Sequence, residues 1–256
     1  MLNQPTQKHG RLAVFWAILG VLASIAVFPY TLELNPALLE QVPLTLTQIV
    51  LLSSVQSAIL LLIISFIGLR LGASVSLDSP IARAFVYRLP LPKLSPKLLA
   101  AMIATGFSAG LIIIGLDALF QPLLPPAIQG EVPQIARWKG FLASFYGGIT
   151  EELLLRLFFM TFITWITWKI FMRGKGMPTN KIYWVAILLA GILFGIGHLP
   201  AAALIWPLTS VVVFRIILLN AIPGLAFGYL YWKWGLEYAM LAHFSTDIML
   251  HVIWGG

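Results

Sequence analysis

The chain has 256 residues, of which 60% are hydrophobic and 10% charged, with a mean hydropathy of +0.94. Soluble domains carry about 25% charged residues, so a water-soluble, disordered or fibrous chain is excluded. The net charge of +7 is spread in short basic patches between apolar runs, not gathered into one footprint. That excludes a nucleic-acid binder and fits the basic loops of one face of a membrane protein. The absence of cysteine rules out disulfides, Cys-ligated zinc and thiol catalysis.

Runs of about 20 mostly apolar residues can cross a bilayer as helices. Spans are expected near residues 12–31, 47–70, 98–120, 137–172, 182–199, 204–232 and 237–254. The fold class is therefore all-α: one polytopic membrane domain over 1–256 with about seven crossings, six or eight being compatible with the same runs. Lys8, His9 and Arg11 precede the first run, as in a signal peptide. That run is long and lacks a small-residue cleavage pattern, so a retained span is expected. Asp78-Ser79-Pro80 predicts a capped short helix through Tyr87, lying on the membrane surface with Arg83 and Arg88 toward the headgroups.

The fourth run exceeds one simple crossing, and Gly147-Gly148 is its expected break or kink. The sixth is expected to be interrupted at Ile222-Pro223-Gly224. In this map Lys8, Arg11, Arg70, Arg83, Arg88, Lys93, Lys97, Arg173, Lys175, Lys181 and Lys233 share one side, whereas Arg137 and Lys139 fall on the other. The N-terminus is therefore expected in the cytoplasm and the C-terminus outside. Most tryptophans, Trp138, Trp168, Trp184, Trp232, Trp234 and Trp254 among them, stand near span ends as an aromatic belt.

Ionisable groups inside spans are costly and point to function. Glu152 and Arg156 are four apart on a helix and share a face, so they can pair; Glu151 lies about 100° away and is left free. Phe194 and His198 share a face of the fifth span, beside a Gly191/Gly195 pattern that admits a close neighbour; His198 alone reads more often as an interhelical hydrogen-bond donor than as a ligand. His243 and Asp247 are again four apart, suited to holding a metal, a water or an oxyanion, or simply to bonding each other. Together these groups are the inventory of a site that activates water. No His-Glu-x-x-His zinc motif is present, so any metal site is assembled across helices. Asp117 and Arg215 are expected near the outer interface, Arg215 pairing with Asp117 or a carbonyl. His251, near the chain end, is given a structural role only.

Glu151-Glu152-Leu-Leu-Leu-Arg156, Phe194-Gly-Ile-Gly-His198 and His243-Phe-Ser-Thr-Asp247, in this order, resemble the CPBP intramembrane protease family, also called the CAAX protease or Abi family. The resemblance covers about 137–254, the expected catalytic core. It implies an intramembrane endopeptidase acting on peptide or membrane-protein substrates, in a bacterial or organellar membrane and in contact with membrane lipids. Glu151 would be the water-activating base assisted by His198, Glu152 and Arg156 the supporting ion pair, and His243 with position 247 the oxyanion stabilisers. Alternatively Glu151, His198, His243 and Asp247 would hold a divalent metal such as zinc. Prenyl endopeptidases of the family have asparagine where this chain has Asp247. An ionised aspartate has no N–H to donate, which weakens the oxyanion role there and the expectation of a prenylated substrate. A non-catalytic scaffold or bacteriocin-immunity-type protein is the alternative. A transporter is disfavoured, because the acidic motif carries its own counter-ion and no paired halves are evident.

Overall fold

The computed structural model describes residues 8–41, 43–128, 130–172, 174 and 176–255; Arg173 and Lys175 lie outside them. Every described element is helical. Six helices are long and apolar enough to cross a membrane: α1 (Gly10–Leu34), α2 (Leu46–Gly72), α4 (Pro96–Leu123), α5 (Arg137–Phe171), α6 (Asn180–Ala202) and α7 (Ser210–Trp234). Between α2 and α4 lies the short α3 (Pro80–Tyr87). The seventh expected run is also helical, as α8, Leu236–Asp247 continued by the π-helical Ile248–Trp254, but it is not among those six. Glu237, His243, Asp247 and His251 make α8 less apolar than the other six. The protein is an all-α, multi-pass membrane protein.

Contacts at the two ends of the bundle fix the alternation of helix direction. At one end Arg83 donates to the Lys8 carbonyl (3.2 Å), Trp16 Nε1 to Ser79 Oγ (3.0 Å) and the Leu236 amide to the Asp78 carbonyl (3.1 Å). At the other end Lys139 pairs with Glu33, Arg215 pairs with Asp117, and Arg137 Nε donates to the Gly255 carbonyl (3.2 Å). The expected Asp117–Arg215 pair thus forms, with the guanidinium also over the Trp206 ring at 4.9 Å.

Three local expectations are revised. The α5 helix does not break at Gly147-Gly148. It widens into π-helical turns over Tyr146–Glu151 and Leu153–Met160, a form common at functional sites. The α7 helix begins at Ser210, capped by Thr209, and runs through Pro223 without interruption; packed membrane helices hold such a proline in place. The α3 helix has the expected bounds but does not simply lie on the surface. Ala82 and Ala84 are buried, and Arg83 turns to Asp78 (2.6 and 2.7 Å). Glu237, in the first turn of α8, accepts from Ser79 Oγ (3.0 Å) and the Ala82 amide (2.7 Å). The segment leading into α3 packs against the start of α8 and against Trp16, so α8 begins about two turns inside the start of α1.

That offset matters for the site. On a map of parallel, equal spans, His198 and His243 fall near opposite ends of their helices. His198 is indeed the last residue before the break ending the main α6 helix, whereas His243 lies in the body of α8. Starting α8 deeper brings the two levels together.

Candidate active site

Glycines set the spacing between α5 and α8. A Cβ at Gly140 would meet the His251 Cβ (2.8 Å), and one at Gly148 would meet the Phe244 Cβ (3.0 Å). At Gly147 it would run into Asp247 Oδ2 and lie 3.1 Å from His243 Nε2. The glycine pair is therefore the slot that admits His243 and Asp247 beside Glu151. On the other side of α8, Gly106 and Gly110 of α4 play the same part against Ala242, Ser245 and Met249, and Thr246 donates to the Gly106 carbonyl (3.0 Å).

The six site residues form one connected cluster. Glu152 and Arg156 are fully buried and pair at 2.9 Å, with Arg156 Nη2 donating to the Gly224 carbonyl (3.2 Å). The guanidinium lies between the Phe194 and Phe227 rings, 5.1 and 5.3 Å away. The same two rings hold His243: Phe227 stacks on it at 4.6 Å and Phe194 meets it edge-on at 5.3 Å. Phe194 also stands edge-on to His198 at 4.7 Å. The phenylalanine of the second motif is thus the wall shared by both imidazoles and the arginine. Phe227 also walls His243 and Arg156, but nothing in its sequence context marks it out.

Each imidazole has one nitrogen occupied. His243 Nδ1 lies 2.8 Å from Glu152 Oε1, and His198 Nδ1 lies 2.8 Å from the Phe194 carbonyl. Both partners are acceptors, so both Nδ1 atoms carry the proton in the neutral ring, leaving the Nε2 lone pairs free. Those Nε2 atoms face Glu151, at 4.0 Å for His198 and 3.6 Å for His243. Asp247 Oδ1 lies 3.8 Å from His243 Nε2. Glu151 is therefore the carboxylate not committed to an ion pair with arginine, as the helical spacing predicts.

The donor types suit a divalent metal, and a carboxylate or carbonyl behind each imidazole is the usual support for a metal ligand. The placement does not suit one. Among the described residues no group of three or more such side chains is gathered as a metal site. The four run as a chain, His198–Glu151–His243–Asp247, at 3.6–4.0 Å steps, whereas tetrahedral zinc sets its ligands about 3.3–3.4 Å apart around one point.

Residues 133–249 match the family described as Type II CAAX prenyl endopeptidase Rce1-like. Over this segment the chain is similar to that family. The matched stretch runs from just before α5 into the last turns of α8, and so contains all three motifs. No curated protein and no solved structure matches the chain.

The slot gives a direct test of this geometry. Gly147→Ala is expected to lower any activity of the site by about a hundredfold, the effect of roughly 1 Å of misplacement. Overpacking should destabilise the fold by only about 1–3 kcal/mol. A Gly147→Ala protein with wild-type turnover would show that the close approach of Asp247 and His243 is not needed.

Proposed function

We propose that the protein is an intramembrane endopeptidase that hydrolyses peptide bonds of membrane-associated substrates with water activated by Glu151 and His198. One observation carries this reading: an uncommitted carboxylate faces two imidazole Nε2 atoms whose Nδ1 atoms are held by acceptors. A gap of 4.0 Å between Glu151 Oε1 and His198 Nε2 is too long for a hydrogen bond and suits a bridging water. Such a water gives one O–H to each base and presents its lone pair to a scissile carbonyl. Glu151 takes a proton as the O–C bond forms, and the carbonyl π electrons move to oxygen. The tetrahedral oxyanion then collapses, the C–N bond breaks, and Glu151 returns its proton to the leaving amine.

His243 in its protonated form offers Nε2–H to the oxyanion. Asp247, with no proton to donate when ionised, orients that ring. No acyl-enzyme forms, because water attacks directly. Asp247 also removes the reason to expect a prenyl group on the substrate: the chemistry requires a peptide bond presented at the membrane, and no more. The second reading, favoured by the donor types alone, has Glu151, His198, His243 and Asp247 closing on a divalent cation that would polarise the carbonyl and the water.

The test is cleavage of a membrane-embedded peptide by the purified full-length protein in liposomes, with metal content measured alongside. New termini, insensitive to a zinc chelator, support water activation by Glu151 and His198. Activity lost to the chelator and restored by zinc supports the second reading. Absence of any product, with the fold intact, leaves the non-catalytic scaffold.

A further inference from the structure

α8 carries a third imidazole that the proposed chemistry does not use. His251 follows Asp247 by four residues, as Asp247 follows His243, so the three lie along one side of the helix. That side is turned into the bundle. Gly140 of α5 packs against the His251 Cβ, and Tyr30 of α1 sets its ring edge-on to the imidazole at 5.5 Å. Just beyond them the Glu33–Lys139 pair marks the end of the bundle.

The polar atoms along this line share one property. Among the described residues, the His251 ring nitrogens, the Tyr30 hydroxyl and the Asp247 carboxylate have no hydrogen-bond partner, yet none of the three residues is fully enclosed: the Asp247 side chain is 13% exposed, and Tyr30 and His251 are half-buried. Elsewhere in the site both imidazoles are held at Nδ1. Polar groups left unpaired in hydrocarbon cost several kcal/mol each, and ionisable side chains in spans usually line water-filled space. A row of such atoms, one helical turn apart, leads from Glu151 to the bundle end.

We propose that Asp247, His251 and Tyr30 line the route by which water reaches Glu151, entering at the end that holds Glu33 and Lys139. The proposal deepens the proteolytic reading by naming the source of the attacking water, but its test does not depend on proteolysis. The chain has no cysteine, so a single introduced thiol reports on its own surroundings. In the full-length protein in sealed vesicles, His251→Cys and Tyr30→Cys should react with a membrane-impermeant maleimide from one side only. Ile112→Cys is the control: it is 49% exposed on the outer face of α4, close to the level at which Gly110 meets Met249. It should react more slowly by an order of magnitude or more, since it faces lipid.

A second measurement tests the path itself. Asp247→Cys should be labelled, and adding His251→Trp should slow that labelling at least tenfold. If His251→Cys fails to fold, Tyr30→Cys and the Asp247→Cys pair still decide. No labelling at 30 and 251 in folded protein overturns the route. So does labelling of Asp247→Cys that His251→Trp leaves unchanged, which would put the entrance past His198. Labelling as expected in a protein that cuts no peptide leaves the route standing and sinks the proteolytic reading alone.

Discussion

Glu151→Gln is expected to lower peptide cleavage by about 10²- to 10⁴-fold, the usual contribution of a positioned general base. Thermal unfolding should stay at the wild-type midpoint. Glutamine keeps the shape of the side chain and removes only its charge and basicity. The Glu151 side chain is 20% exposed and makes no arginine pair, so the fold has little to lose. The control is Glu151→Asp, which keeps a carboxylate but withdraws it by one methylene; it should retain partial activity. A Glu151→Gln protein that still turns over at the wild-type rate would remove Glu151 from the chemistry. One that unfolds early would recast it as a structural residue.

Arg156→Met is expected to do the opposite, acting first on stability. Glu152 and Arg156 are both fully buried and 2.9 Å apart, and removing one partner of such a pair costs about 3–5 kcal/mol because the other charge is left uncompensated. Glu152 Oε2 and Arg156 Nε already lack hydrogen-bond partners, so the pair has no reserve. The double variant Glu152→Gln with Arg156→Met should recover most of that stability, since no buried charge remains. Its amide oxygen can still accept from His243 Nδ1, so measurable cleavage should return as well. Denaturant unfolding of the two variants decides the matter. A double variant no more stable than Arg156→Met alone would mean that the arginine acts through its packing between Phe194 and Phe227, not through its charge.

The two residues behave differently although they are separated by only five positions, and the separation of roles was legible in the sequence. Spacing alone put Glu152 with Arg156 and left Glu151 free. The apolar runs gave the membrane helices, and Ser79-Pro80 gave the start of α3. What could not be read was anything requiring knowledge of which helix lies opposite. Gly147-Gly148 looks like a break in isolation and becomes a slot only because Asp247 and His243 face it. Pro223 likewise looks like an interruption, but α7 stays helical through it, packed against its neighbours. The levels of His198 and His243 seemed incompatible because a span map assumes that every helix starts at the same depth. Glu237 bonding Ser79 and Ala82 fixes a different depth for α8, and nothing local to Glu237 announces those partners. His251 looked structural for the same reason: its significance comes from Tyr30, on another helix far away in the chain.

The glycines have one more consequence. They zip the helices into two groups: α4, α8 and the first half of α5 through Gly106, Gly110, Gly140, Gly147 and Gly148, and α6 with α7 through Gly191, Gly195, Gly224 and Gly228. Glu151, His243 and Asp247 belong to the first group and His198 to the second, so the gap between the two bases straddles a seam. A small rocking of the α6–α7 pair that changed that gap would also carry Phe194, Phe227 and the Gly224 carbonyl, which hold His243 and Arg156. The width of the gap between Glu151 and His198 is therefore tied to the packing around Arg156 and His243, and neither changes without the other.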